Sequence, residues 1–147
     1  MLGLSACADE PPPPPRDIPF RVDGYLEFLR PDSSIITRIA IEIAETDSAQ
    51  ARGLMQRRTL PQRGGMLFVN DDDTTRTFWM KNTPLPLDIL FIGSDGKVVS
   101  IAKHTKPYSE DFIRSGGPAR HVLEVRAGFA DLYGIDETTR VRWQRTG

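Results

Sequence analysis

Phe78-Trp79-Met80-Lys81-Asn82-Thr83-Pro84-Leu85-Pro86-Leu87-Asp88-Ile89-Leu90-Phe91-Ile92 carries the densest local signals in the chain. Phe78 and Trp79 are adjacent aromatics, followed at once by Lys81 and Asn82. Pro84 and Pro86 punctuate a bend, because each fixes its own φ and lacks a donor N–H. Leu87 to Ile92 is apolar throughout except for Asp88, the mark of a short strand buried on both faces. A lone charge in such a run must be solvated, paired or neutralised. Lys81 and Asn82, across the bend, are its nearest candidate partners. Two readings stay open. Asp88 holds the bend or a neighbouring backbone group with Trp79 in the core, or Trp79, Lys81, Asn82 and Asp88 line one polar-and-aromatic pocket.

Working outward, Gly93-Ser94-Asp95-Gly96 is a hairpin signal. It joins this strand to a second one over Lys97–His104. Upstream, Thr74–Met80 reads as the strand that delivers Trp79 to the bend, and Met66–Val69 as a short buried strand. Asn70-Asp71-Asp72-Asp73 between them lacks the spaced acids, central glycine and distal glutamate of a calcium loop, so it reads as a solvated turn. Ile35–Ala44 alternates cleanly, with Ile35, Thr37, Ile39, Ile41 and Ile43 on one side and Arg38 and Glu42 on the other. That pattern predicts a half-buried antiparallel strand with Glu42 in solvent. Gly24–Arg30 supplies its hairpin partner across the Pro31–Ser34 turn.

Thr46 and Asp47 suit the start of a helix over Asp47–Arg57, with Ala51, Leu54 and Met55 on one face. Gly53 inside it costs about 1 kcal/mol against alanine, which a close neighbouring segment would explain. Thr105–Gly117 reads as irregular, either a flap or a loose crossing. His121–Val125 is a further strand, Phe129–Tyr133 a short helix and Thr138–Gln144 the last strand. The expected architecture is therefore mainly β: a compact jelly-roll-like sandwich or barrel of about seven or eight short strands with one notable helix.

The chain has 147 residues with a formal net charge of −1, which fits one folded domain, here residues 24–147. The strongly basic patch of a nucleic-acid binder is missing. Cys7 is the single cysteine, so no internal disulfide can form. Leu4-Ser5-Ala6-Cys7 resembles a bacterial lipobox, in which the cysteine is lipidated and becomes the mature N-terminus. Only six residues precede Cys7 and none is basic, so a complete signal peptide needs residues upstream of Met1. Pro11–Pro15 forms a stiff extended run. Residues 1–23 therefore read as a signal remnant and tether. The expected location is the bacterial periplasm, lipid-anchored through Cys7. The outer membrane is favoured because no acid follows Cys7 directly.

Five segments occur in order: Ala51-Arg52-Gly53-Leu54-Met55, Gly65-Met66-Leu67-Phe68, Phe78-Trp79-Met80-Lys81-Asn82-Thr83, Pro86 to Ile92, and Gly117-Pro118-Ala119-Arg120-His121-Val122-Leu123-Glu124. Together they resemble the bacterial and archaeal family known as domain of unknown function 192. The resemblance spans roughly Ile39 to Val141. It implies a compact, mainly β, often exported domain and carries no assigned reaction. The family's motif residues fall here on Arg52, Gly53, Met55, Met66, Trp79, Lys81, Asn82, Asp88, Pro118, Arg120 and Glu124.

For chemistry, no Gly-x-Ser-x-Gly elbow is present. His104 and His121 lack ligand spacing, so no metal site and no cofactor are expected. Asp88 and Glu124 are the one pair of acids that could converge as in a glycosidase. A hydrolase is the least supported class. A small-ligand binding module fits better. Trp79 offers a face for a sugar ring, Lys81, Asn82 and Asp88 offer polar groups, and Arg52 and Arg120 could receive an anion. The ligand would be a carbohydrate or an anionic small molecule. The alternative is a structural or partner-binding envelope protein in which the same residues form a satisfied bracing network.

Overall fold

The computed structural model describes residues 11–12 and 17–147. The lipobox cysteine, Cys7, lies outside the described residues. Among these described residues, nine strands and two short helices follow one another. They are β1 (Gly24–Leu29), β2 (Ile35–Ala44), α1 (Asp47–Arg52), β3 (Gly64–Phe68), β4 (Thr74–Phe78) and β5 (Leu87–Ile92). Then come β6 (Val98–Ala102), β7 (Ile113–Ala119), β8 (His121–Arg126), α2 (Phe129–Tyr133) and β9 (Arg140–Arg145). The mainly β expectation holds. The additional strand is β7, which begins within the stretch read as irregular, Thr105–Gly117, and runs on to Ala119. Its sequence, I-R-S-G-G-P-A, contains two glycines and a proline, so no local propensity announces it. Pairing with β4 creates it: Phe78 opposes Ile113 and Thr74 opposes Ala119.

Seven strands form one curled sheet in the order β6-β5-β8-β3-β2-β1-β9. The pairing of β2 with β3 is parallel, whereas β2 was expected to be wholly antiparallel. The crossover through α1 and the following loop makes the parallel geometry possible. The two ends of the sheet meet at one place, where Lys97 bridges Arg140 and Val141 N–H donates to the Gly96 carbonyl at 2.8 Å. Gly96 has φ +82, and a Cβ there would stand 2.7 Å from the Val141 oxygen. Glycine is what lets the hairpin turn touch β9.

The concave face encloses Leu26, Phe28, Ile39, Ile41, Leu67, Leu90, Leu123 and Val125, together with Phe129 and Ala130 of α2. A second core lies on the other face, built from Met66, Phe68, Leu87, Ile89, Phe91 and Val122 under Leu54, Leu60 and Met80. The central strands β3, β5 and β8 are thus covered on both sides, which is why Leu87–Ile92 is fully buried.

Asp88 belongs to the concave side. It is fully buried, and its carboxylate accepts N–H bonds from His104 and Ala130, both at 2.9 Å. Ala130 lies in the first turn of α2, whose N-cap Gly128 supplies no side-chain cap. Asp88 therefore caps α2 from the neighbouring strand. Lys81 and Asn82 are not its partners. We expect Asp88→Asn to lose one of the two charged bonds and destabilise the domain by about 1.5–3 kcal/mol. Urea unfolding followed by tryptophan fluorescence would measure the loss, and a change below 0.5 kcal/mol would count against the cap.

The α1 helix ends at Arg52, well short of the expected Arg57. Gly53 takes φ +48 and ψ −131, and a Cβ there would meet the Phe68 ring at 3.2 Å. The glycine is a stop, not an interior residue, and the expected close neighbour is Phe68. The chain beyond it folds back over the second core, where Leu54, Arg57 and Leu60 are buried.

Candidate functional site

The β2–β3–β8–β5 register places Glu42 opposite Met66, Met66 opposite Glu124 and Glu124 opposite Ile89. Residues directly opposite share a face, so Glu42 and Glu124 both stand on the second face of the sheet. Glu42, expected in solvent, is fully buried. Arg57 meets it with two parallel bonds, Nη1 to Oε2 at 2.7 Å and Nη2 to Oε1 at 3.0 Å. Arg21 Nη1 stands 3.7 Å from Oε1. The two-pronged Arg57 contact pins the segment after α1 onto the sheet.

Glu124 has a different environment. It is 4% exposed, and among the described residues its carboxyl has neither a hydrogen bond nor an ion pair. Burial alone pushes its pKa from the ordinary carboxyl range up to about 8. It forms part of the floor of a cleft of about 440 Å³. One wall comes from Gln50 to Met55, the other from Thr75 to Trp79, and Phe68 and Asn70 complete the base. Phe68 and Phe78 meet edge to face at 5.0 Å. Gln50 ties the α1 wall to the sheet by donating to the Ala44 and Val69 carbonyls at 3.2 and 3.0 Å.

The residues singled out from sequence separate into groups. Arg52 and Trp79 come together as lining of this cleft, one from each wall. Arg52 is exposed and has no ionic partner among the described residues. Trp79 is 38% exposed, stacks on Phe112 at 6.1 Å and has the Lys81 ammonium 5.0 Å from its ring centre. Lys81 thus supports the mouth without lining the cleft. Asn82 holds φ +54 and lines a neighbouring depression that shares Arg52 and includes Gln56, Pro84 and Tyr108. Its carbonyl accepts the Gln56 N–H at 2.7 Å. Arg120 stands 3.3 Å from Asp73, and Asp72 pairs with Arg76 at 2.8 Å. Two of the three acids of this turn, Asp72 and Asp73, are therefore paired with arginines. Hydrogen bonding to Arg76 holds the Asp72 carboxyl below the usual range.

Asp88 lies across the sheet from the cleft. It opposes Val125, one residue out of step with Glu124, and successive residues of a strand point to opposite faces. The convergence of Asp88 with Glu124 is thereby excluded, and with it the paired-acid geometry. His121 accepts the Asn70 N–H at Nδ1, 3.3 Å away, and packs edge-on against Trp143. His104 stands 3.4 Å from Asp131 on the surface. Among the described residues no three His, Cys, Asp or Glu side chains are grouped to hold a metal, and no helix is long and apolar enough to cross a membrane.

Glu124, named from the sequence only as a motif residue and as one half of a possible acid pair, was outside the ligand-binding set that the sequence suggested, yet it lines the cleft. The signal was present: an acid in the apolar run His121-Val122-Leu123-Glu124-Val125, the same anomaly that marked Asp88.

No curated protein matches the chain. Several solved structures are similar, two of them as follows. One comes from Sinorhizobium meliloti 1021 and carries the description "putative transcription regulator". It is 32% identical with a TM-score of 0.80, covering 86% of this chain and 97% of its own. The other is a protein of unknown function from Novosphingobium aromaticivorans DSM 12444. It is 36% identical with a TM-score of 0.74, covering 81% of this chain and 84% of its own. The model of the family described as DUF192, Uncharacterized ACR, matches residues 28–143, and with most of the chain inside that match the protein belongs to the DUF192 family.

Proposed function

We propose that this chain is a small-ligand binding module of the bacterial envelope, held at the periplasmic face of the outer membrane through Cys7. The observation that carries the reading is the pairing of an unengaged cation, Arg52, with an exposed indole, Trp79, across one cleft of about 440 Å³. That volume is of the size small-molecule sites use. The indole face suits a sugar ring or another planar group, and the guanidinium suits a carboxylate or phosphate. The ligand class is a carbohydrate or a small anion.

The Sinorhizobium neighbour's description brings a DNA-binding reading, which the net charge of −1 does not favour. A partner-binding role has one supporting feature. Phe112, stacked on Trp79, is 63% exposed and Tyr108 is 64% exposed, and such aromatics anchor protein interfaces.

A thermal-shift screen of sugars, cell-wall fragments, organic acids and nucleotides separates the readings. A ligand at 100 times its dissociation constant stabilises the fold by about 2.7 kcal/mol, several degrees for a domain of this size. We expect Trp79→Ala to fold with a change of roughly 1 kcal/mol or less and to weaken the hit by tenfold or more, about 1.4 kcal/mol. A silent screen, or a hit that Trp79→Ala leaves untouched, would move the search to protein partners.

A further inference from the structure

Three acids are buried among the described residues: Glu42, Asp88 and Glu124. Glu42 is neutralised by Arg57, and Asp88 accepts two backbone N–H bonds. Glu124 alone has no partner, and it alone lines a cleft. Its oxygens are not among the described side-chain atoms sealed from solvent without a hydrogen-bond partner, which are Arg57 Nε and Arg120 Nε; a carboxyl this deeply buried yet open to a cleft is one that a ligand can complete.

The surroundings decide what kind of ligand. From β3 and β5, the neighbours of Glu124 in register are Met66 and Ile89, both apolar. From β2 and the segment after α1, the charges nearest along the same row are Glu42 and Arg57, which are committed to each other. From β4, Arg76 lines the cleft, but its Nε donates to the Ala119 carbonyl and its Nη2 to Asp72. From α1, Arg52 remains the one unengaged charge at the rim. The cleft therefore has a cationic rim and an acid floor with no cationic partner among the described residues.

We propose that Glu124 anchors the ligand by donating a hydrogen bond from its carboxyl O–H to a hydroxyl or carbonyl oxygen, while the ligand's anionic end lies at Arg52. The inference rests on the ligand-binding reading above and narrows it to oxygen-rich acids such as sugar acids and hydroxy acids. An ionised Glu124 would repel such an anion and has no hydrogen to donate. Because burial holds the carboxyl neutral up to about pH 8, binding persists at neutral pH and fails in alkali. Glu124 is the one carboxyl among the residues that line the cleft.

Isothermal titration of the whole chain with D-glucuronate, D-gluconate, citrate, N-acetylglucosamine and putrescine, at pH 6.5 and pH 9, tests this. The variants are Glu124→Gln, Glu124→Leu and Arg52→Ala, each first checked for folding by circular dichroism. We expect at least one of the three acids to bind at pH 6.5 and to weaken at least tenfold at pH 9. Glu124→Gln, which keeps an N–H donor and cannot ionise, should bind at both pH values. Glu124→Leu, with no donor, should lose at least tenfold at pH 6.5. Should Glu124→Leu not fold, the flattened pH profile of Glu124→Gln decides. An acid that binds wild type and Glu124→Leu equally at both pH values overturns the role of Glu124 and leaves the cleft-binding reading standing. Putrescine binding that tightens at pH 9 would overturn the donor role and make Glu124 a carboxylate for cations. Absence of binding by every probe, with Arg52→Ala indistinguishable from wild type, overturns both readings.

Discussion

Arg57→Ala is expected to destabilise the domain by about 3–5 kcal/mol, because it leaves the Glu42 carboxylate buried without its charged partner. Glu42 is fully buried and Arg57 is 6% exposed. Both carboxylate oxygens are engaged, at 2.7 and 3.0 Å. Arg21, 3.7 Å away with a side chain 62% exposed, recovers little, since an exposed ion pair contributes about 1 kcal/mol or less. The pair is not itself a large source of stability. A double replacement, Glu42→Leu with Arg57→Leu, should regain most of the loss, because well-packed apolar residues often equal a buried pair. Equilibrium urea unfolding of the two single variants and the double variant measures this. A single-variant loss below 1 kcal/mol would show that Glu42 reaches water. The consequence extends to the site. Arg57 holds the segment that follows Gly53, so its loss frees the wall that carries Arg52.

The second large effect is on the pH dependence of stability. Burial raises the Glu124 pKa from 4.5 in the unfolded chain to about 8 in the folded one. Between those values the folded state holds a proton that the unfolded state has released. Stability is therefore fully present below about pH 4.5 and falls as pH rises, by about 1.4 kcal/mol per unit, until the folded carboxyl ionises near pH 8. The direction is opposite to that of Asp23, whose carboxyl is held low by its hydrogen bond to Arg21 and contributes stability that is lost in acid. We expect Glu124→Gln to remove the alkaline fall. The variant should gain on wild type steadily from pH 5 to pH 8, reaching roughly 3–5 kcal/mol at the upper end. Parallel unfolding curves for the two proteins across that range would show instead that water or a neighbouring donor satisfies the carboxyl.

These two acids also mark the limit of what could be read from the chain. The strands β2 and β5 were legible to their ends, because alternation in Ile35–Ala44 and the apolar run Leu87–Ile92 are local patterns that any strand must show. Arg52 and Trp79, which line one cleft, were legible as candidates because a cation beside a glycine and an aromatic beside a bend stand out in place. The burial of Glu42 was not. Its alternation with Ile41 and Ile43 is the pattern of a strand with one wet face, and the sheet becomes dry on both faces only because α1 and its trailing segment fold over it. The grouping of Lys81, Asn82 and Asp88 into one pocket did not form either. Asn82 faces a separate depression, and Asp88 turns to the opposite face, since a single residue along a strand reverses direction.

By itself the sequence determined the class of fold, most strand positions, Gly53 as an anomaly (though not as the end of α1) and the family, because each depends on neighbours within a few residues or on motifs in order. The tertiary structure alone decided the parallel pairing of β2 with β3, the existence of β7, the burial of Glu42, the capping role of Asp88 and the partnerless floor of Glu124. Each of these depends on which surface a distant segment covers. Burial sets the cost of a charge, and burial is a property of the packed chain.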